Sequence, residues 1–227
     1  GAIACAQLYL TLGVRKENMI MSDSRGEISR DRTDLSTYKR AYATDRAVHT
    51  LAQALKGADV FLGLSAANII TPAHLHTMAP DPIVFALANP DPEIPYNVAV
   101  AARPDVVMAT GRSDYPNQVN NILGFPYIFR GALDVHATTV NEPMKLAAVY
   151  ALAMLAKEPV PAAISAAYDN VSFAFGREYL LPKPMDPRLI ATVSMAVARA
   201  AMETGVAQKP IEDWEAYENA LTARLQD

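Results

Sequence analysis

The 227-residue chain is 51% hydrophobic and 19% charged, proportions of a protein that buries a core rather than of a disordered one, and enough for one large domain or two small ones. Its 20 basic and 24 acidic side chains give a net charge of −4, which leaves neither a basic footprint for nucleic acid nor a polybasic anchor for a membrane. No apolar run of about 18 residues occurs, the N-terminus lacks the basic region of a signal peptide, and a lone cysteine excludes an internal disulfide framework, so a soluble, cytoplasmic protein is expected.

The chain opens without Met, inside an apolar stretch over 2–12 that reads as a helix closed by Gly13, and is therefore expected to be a fragment. Cys5 sits between alanines in that helix and reads as a small buried hydrophobe. Residues 18–22 have the length of a strand and end at Asp23-Ser24-Arg25-Gly26, before an arginine-rich polar stretch that runs to Asp45. A short helix is expected over 49–55 with Gly57 behind it, then a strand over 59–63. Thr71-Pro72 opens another helix, with Thr as N-cap and Pro in the first turn. Strands follow over 82–88 and 101–110. After about residue 115 the pattern turns helical and proline-punctuated, with strong helices over 145–156 and 187–205.

None of these strands alternates polar with apolar, the mark of strands buried on both faces. The expected fold class is α/β: a Rossmann-like, doubly wound, mostly parallel sheet with helices on both faces and a helical C-terminal extension. Residues 1–140 are expected to form a dinucleotide-binding domain that lacks its first strand and phosphate loop. Residues 141–227 are expected to form a helical part packed on it.

Ligands of open α/β sheets lie beyond the carboxyl ends of the strands, so the loops there carry the functional candidates. Asp23 has the offset from Gly1 of an acid that bonds an adenosine ribose, and Arg25 suits a 2′-phosphate. No G-x-G-x-x-G occurs, however, and taken alone Asp23 reads as a turn residue. Gly63-Leu64-Ser65 allows close approach of a ligand to the backbone, or is a tight turn. Pro90 holds Asn89 extended, toward the sheet edge or in an ordinary turn. Three Asn and a Gln lie within residues 117–121, amides that are costly to bury without partners. His49, His74, His76 and His136 lack metal-site spacing, and neither a G-x-S-x-G elbow nor a Walker A loop is present.

The segments Ala2-Ile-Ala-Cys5, Met21-Ser-Asp-Ser-Arg-Gly26, Phe85-Ala-Leu-Ala-Asn-Pro-Asp-Pro-Glu93 and Gly111 to Asp134 together resemble the malic enzyme family. Lys183-Pro-Met-Asp-Pro-Arg188 and Asp213-Trp-Glu-Ala-Tyr217 resemble its bacterial members, multidomain ones included. The resemblance covers nearly the whole chain. It implies oxidative decarboxylation of (S)-malate to pyruvate and CO2 with NADP or NAD and Mg2+ or Mn2+, in a homo-oligomer. Asn89, Asn120 and Asn121 would be substrate-side amides, with Asn89 and Asn121 also meeting the nicotinamide. Asp23, Ser24 and Arg25 would surround the adenosine ribose, and Gly63, Leu64 and Ser65 would line the cofactor path. Gly1 and Ala2 would end a phosphate loop that begins upstream.

The general-acid Tyr, the base Lys and the metal ligands of the family all precede that loop. None is expected here, so the chain alone is expected to be inactive. Tyr115 and Lys183 have the right types but stand in other motifs. Asp23 alone favours NAD; Arg25, with Arg30 and Arg32, favours NADP, which is the expected cofactor. The alternatives are another Rossmann-type hydroxy-acid or amino-acid dehydrogenase domain, or a non-catalytic nucleotide-binding or dimerisation module.

Overall fold

Helix signals and apolar runs of strand length alternate through the first half of the chain, and the computed structural model, which describes residues 1–225, turns them into an α/β unit spanning Gly1–Pro116. Helix α1 (Ala2–Thr11) ends ahead of Gly13, whose φ of +101° suits glycine. Cys5 lies on this helix but is half-exposed, not buried as expected, because the α1 residue that goes into the interior is Ala6. Helix α2 (Thr37–Arg40) is capped by Ser36, helix α3 (Leu51–Leu55) by Thr50. At α4 (Pro72–Thr77) the expected cap is reciprocal: Thr71 Oγ1 accepts from His74 N, and His74 Nδ1 accepts from Thr71 N. Helix α5 (Tyr96–Ala102) starts behind Pro95 and was not anticipated.

The stretch over 18–22 does not become a strand of the main sheet. Residues 16–18 form a 3-10 turn, and β1 (Ser22–Asp23) pairs antiparallel with β2 (Gly26–Glu27) in a two-stranded hairpin. The polar stretch after it closes back instead, through a bridge between Ser29 and Thr44, over a small core of Ile28, Leu35 and Ala43. The main sheet comprises β3 (Val60–Gly63), β4 (Ile83–Ala86) and β5 (Val107–Thr110), parallel and in sequential order. Their last residues, Gly63, Ala86 and Thr110, lie in register, so the three following loops leave the sheet along one edge. Leu55, Ile70, Leu75, Val84, Ile94 and Met108 fill the core. Burial of such side chains stabilises by roughly 1.5–3 kcal/mol each before entropy is counted.

From Asn117 onward the second unit is helical: α6 (Tyr127–Asp134), α7 (Glu142–Leu155), α8 (Ala162–Ala167), α9 (Leu189–Glu203) and α10 (Trp214–Ala223). The change of pattern near residue 115 coincides with this boundary. Helix α9 is the hub: Val193, Val197, Ala198 and Ala201 are fully buried against α6 and α7. Gly131 lets α6 sit on α9, since a Cβ there would overlap the Ser194 carbonyl oxygen and lie 3.0 Å from Val197 Cβ. Ser194 Oγ donates to the Tyr127 carbonyl at 3.1 Å in the same seam. Asp186, buried, is held by Arg188, which also reaches the Pro159 carbonyl at 2.9 Å. No described helix is long and apolar enough to cross a membrane.

Candidate functional site

The carboxyl edge of the three-stranded sheet brings the loops after β3, β4 and β5 side by side. After β3, Gly63 has no room for a side chain: an added Cβ would overlap the carboxyl group of Glu93. Glu93 is fully buried, and its Oε1 accepts from Ser65 N (2.9 Å) and Ser65 Oγ (3.2 Å) while its Oε2 accepts from Ala88 N (3.0 Å). Leu64 lies exposed between them, 3.6 Å from where a Cβ of Gly1 would stand, so the start of α1 and the loop after β3 meet. Gly1 and Ala2 are exposed, and the N-terminus of α1 carries no side-chain cap.

After β4, Asn89 is exposed at the edge, joined to Pro90 by a cis peptide bond. Its Oδ1 lies 3.1 Å from the Cβ position of Gly111, the first residue after β5, so these two loops are also in contact. Arg112 then forks onto Asp114 at 2.9 and 2.8 Å and lies over Tyr115, which stacks on Tyr96 with ring centroids 4.8 Å apart. Tyr115 is thus built into the loop.

At the end of β1, Asp23 has a different setting from an open ribose-binding carboxylate. Arg32 grips it with two bonds, at 2.9 and 3.2 Å, Lys39 Nζ donates to it, and the Arg25 backbone N–H donates at 3.0 Å. Arg32 first, and then Lys39, holds its carboxyl well below the usual carboxylate range. Asp34 is drawn down in the same way, chiefly by Arg32 and then by Arg25, whose guanidinium donates to it at 2.8 Å. Two carboxylates and three cations (Arg25, Arg32, Lys39) therefore share one patch beside the exposed Ser24, with positive charge in excess. Arg30 pairs with Asp45 instead.

In the second unit the amide-rich loop sorts into three roles. Asn117 is buried and clamps the chain, donating to Arg177 O (2.6 Å) and accepting from Leu180 N (2.7 Å). Asn120 caps the 3-10 turn over 121–123 by accepting from Ile122 N at 3.0 Å. Asn121 opens that turn with its side chain exposed. Lys183 lies between the rings of Tyr168 and Phe173, 4.9 and 4.7 Å from their centroids, and burial pushes its amine pKa down. No three His, Cys, Asp or Glu side chains come together among the described residues.

Glu93 and Lys39 escaped the sequence reading. Glu93 stands in a quoted motif, and the available signal was an acid between Pro92 and the apolar Ile94-Pro95. Lys39 carried no local signal, since its partner Asp23 lies 16 residues away.

The fit to a dinucleotide rests on the sheet edge. There the loops after β3, β4 and β5 leave side by side, the start of α1 meets the first of them at Leu64, and Asn89 stands exposed against Gly111. Residues 7–172 match the family model described as malic enzyme, NAD binding domain. The NADP-dependent malic enzyme of Halomonas elongata is 56% identical over 92% of this chain and 50% of its own length. From Rhizobium meliloti, an NADP-dependent malic enzyme is 55% identical over 98% of this chain, and an NAD-dependent one 51% identical over 97%, each matched over 29% of its own length. A solved malic enzyme from Pyrococcus horikoshii superposes with a TM-score of 0.80 at 35% identity, covering 97% of this chain and 49% of that one. The chain thus spans between under a third and a half of the length of these relatives.

Proposed function

Because this chain belongs to the malic enzyme family through its NAD-binding domain, we propose that it is the nucleotide-holding part of an enzyme that converts (S)-malate and NADP+ to pyruvate, CO2 and NADPH. The net reaction balances: malate C2 would give up a hydride to bound NADP+, its hydroxyl would lose a proton, the C3–C4 bond would break to release CO2, and C3 would take up a proton. The observation that carries this reading is the convergence of the loops after β3, β4 and β5 on one carboxyl edge, where Asn89 stands exposed against Gly111. When bound, NADP supplies the hydride acceptor. The residues of this chain hold it: Gly1 and Ala2 at the start of α1, Gly63, Leu64 and Ser65 along the path, and Asp23, Ser24 and Arg25 at the ribose end. Asn89, Asn120 and Asn121 orient the substrate carboxylate and the nicotinamide by their amides. Asn120 does so with its NH2 group, its oxygen being used by the Ile122 N–H.

The paired state of Asp23 favours NADP over NAD. A free carboxylate would repel a 2′-phosphate, but here Arg32 and Lys39 neutralise it, and Arg25 adds a further cation. The described residues supply no metal-ligand cluster, and no step is assigned to a metal held by this chain. The complete enzyme is proposed to use Mg2+ or Mn2+, to be cytoplasmic and to assemble as a homo-oligomer. The proposed division gives the dinucleotide to residues 1–140, a stretch that runs past the compact unit ending at Pro116 and takes in α6, and leaves 141–227 as the remaining helical part.

The test is a pair of assays. The complete polypeptide, given (S)-malate, NADP+ and Mn2+, should form NADPH, pyruvate and CO2 in equal amounts. The 227 residues alone should show no malate-dependent turnover. Malate-dependent NADPH formation by the 227 residues alone would overturn the division of labour. Failure of the complete polypeptide to bind either NADPH or NADH would overturn the functional reading itself.

A further inference from the structure

A fully buried carboxylate is costly unless its oxygens are satisfied, and the donors that satisfy Glu93 come from two loops that sequence keeps apart. Ser65 donates twice from the loop after β3, and Ala88 donates once from the residue before Asn89. The backbone around Glu93 adds two bonds to the first loop: Asn68 N donates to the Pro92 carbonyl at 3.1 Å and Ile70 N to the Glu93 carbonyl at 3.0 Å. Gly63 forms a wall of the same socket, with no space for a side chain of its own. Ser65 and Asn89, assigned above to cofactor and substrate, are thereby hung from one side chain.

We propose that Glu93 is a positioning residue for the dinucleotide. It fixes the spacing of the loops after β3 and β4 by holding the N–H groups of Ser65 and Ala88 on its two carboxyl oxygens. The proposal rests on the reading that this edge holds NADP. The chemistry asks for an acceptor at both ends. Glu93→Gln keeps the shape but sets an NH2 group against the N–H of either Ser65 or Ala88, whichever way the amide is flipped. Glu93→Asp keeps the charge but falls one methylene short of spanning both loops.

The experiment compares the complete enzyme with its Glu93→Gln, Glu93→Asp and Leu75→Ala variants, each well below its own melting temperature. Leu75 is fully buried in the same core but belongs to α4, so its variant reports loss of stability alone. NADPH affinity is read by nucleotide fluorescence, and exchange of the Ser65 and Ala88 amides by mass spectrometry. Both Glu93 variants should weaken NADPH binding about tenfold, the size expected when a buried donor loses its acceptor. Both should also speed exchange at Ser65 and Ala88, while Leu75→Ala leaves the affinity unchanged. NADPH binding that survives both Glu93 substitutions, or unchanged exchange at the two amides, overturns the positioning role alone. An equal loss of affinity in Leu75→Ala also overturns it, by reducing the effect to stability. Absence of NADPH binding by the unaltered enzyme overturns the dinucleotide reading and the positioning role with it.

Discussion

Gly131→Ala sets two effects of opposite sign against each other. Alanine in a helix interior is favoured over glycine by about 1 kcal/mol, because glycine loses more backbone entropy. At Gly131, however, the added methyl would overlap the backbone oxygen of Ser194 and crowd Val197 Cβ at 3.0 Å. A backbone carbonyl cannot rotate aside as a side chain tip does. Helix α6 must therefore move off α9, breaking the Ser194–Tyr127 hydrogen bond and opening a core of fully buried Val193 and Val197. Overpacking of this kind costs up to about 3 kcal/mol, so the contact outweighs the helix propensity and the net loss is about 2 kcal/mol. For a chain of this size that is a fall in melting temperature of roughly 4–8 °C. Thermal and urea unfolding, followed by circular dichroism at 222 nm, measure it. A Gly131→Ala protein as stable as the original would refute the reasoning, because it would mean the helix seam yields without cost.

Lys39→Ala should weaken NADP+ binding several-fold while leaving NAD+ binding unchanged or improved, because it restores part of the Asp23 charge beside the 2′-phosphate. Titrations of both nucleotides at low salt check this, and an unchanged NADP+/NAD+ ratio counts against the masked carboxylate. Tyr217 donates to Asp134 at 2.8 Å, and burial, then that bond, raises its pKa above the usual tyrosine value. A raised folded-state pKa contributes stability that is fully present below the unfolded value of about 10 and is lost as pH climbs through the folded one. The stability difference between the protein and Tyr217→Phe should therefore shrink above about pH 10. Parallel urea midpoints from pH 8 upward that never converge would contradict this.

Elements with a local cause were legible in the sequence. Thr71-Pro72 named the start of α4 because the cap is made within three residues, and the apolar runs at β3 and β4 became strands, whereas of the run over 101–110 the first two alanines end helix α5 and only Val107–Thr110 became β5. The stretch over 18–22 misled because an apolar run of five residues does not say what it pairs with. Its last residue, Ser22, pairs with Glu27 instead, beside Asp23 with Gly26, in a hairpin. Helix α6 carries two residues that weaken a helical signal, Pro126 at its start and Gly131 within it. Pro126 is the N-cap, and Gly131 is a contact made with α9, more than sixty residues away in the chain. The same distance in sequence explains the site. The loops beyond the strands were found from strand order alone, whereas Glu93 acquires its meaning from Ser65, 28 positions earlier, and Asp23 its changed character from Lys39.

The socket shared by Gly63 and Glu93 also constrains how this sequence can vary. The glutamate carboxyl occupies the space a side chain at position 63 would need, with its oxygens 2.5 and 2.7 Å from that Cβ position. Any residue larger than glycine at 63 is therefore compatible only with a shorter residue at 93, and a shorter residue at 93 leaves the Ser65 and Ala88 N–H groups to find another acceptor. The two positions are open to change together and closed to change singly. Among sequences of this lineage they should behave as one heritable character, exchanged as a pair or kept as a pair.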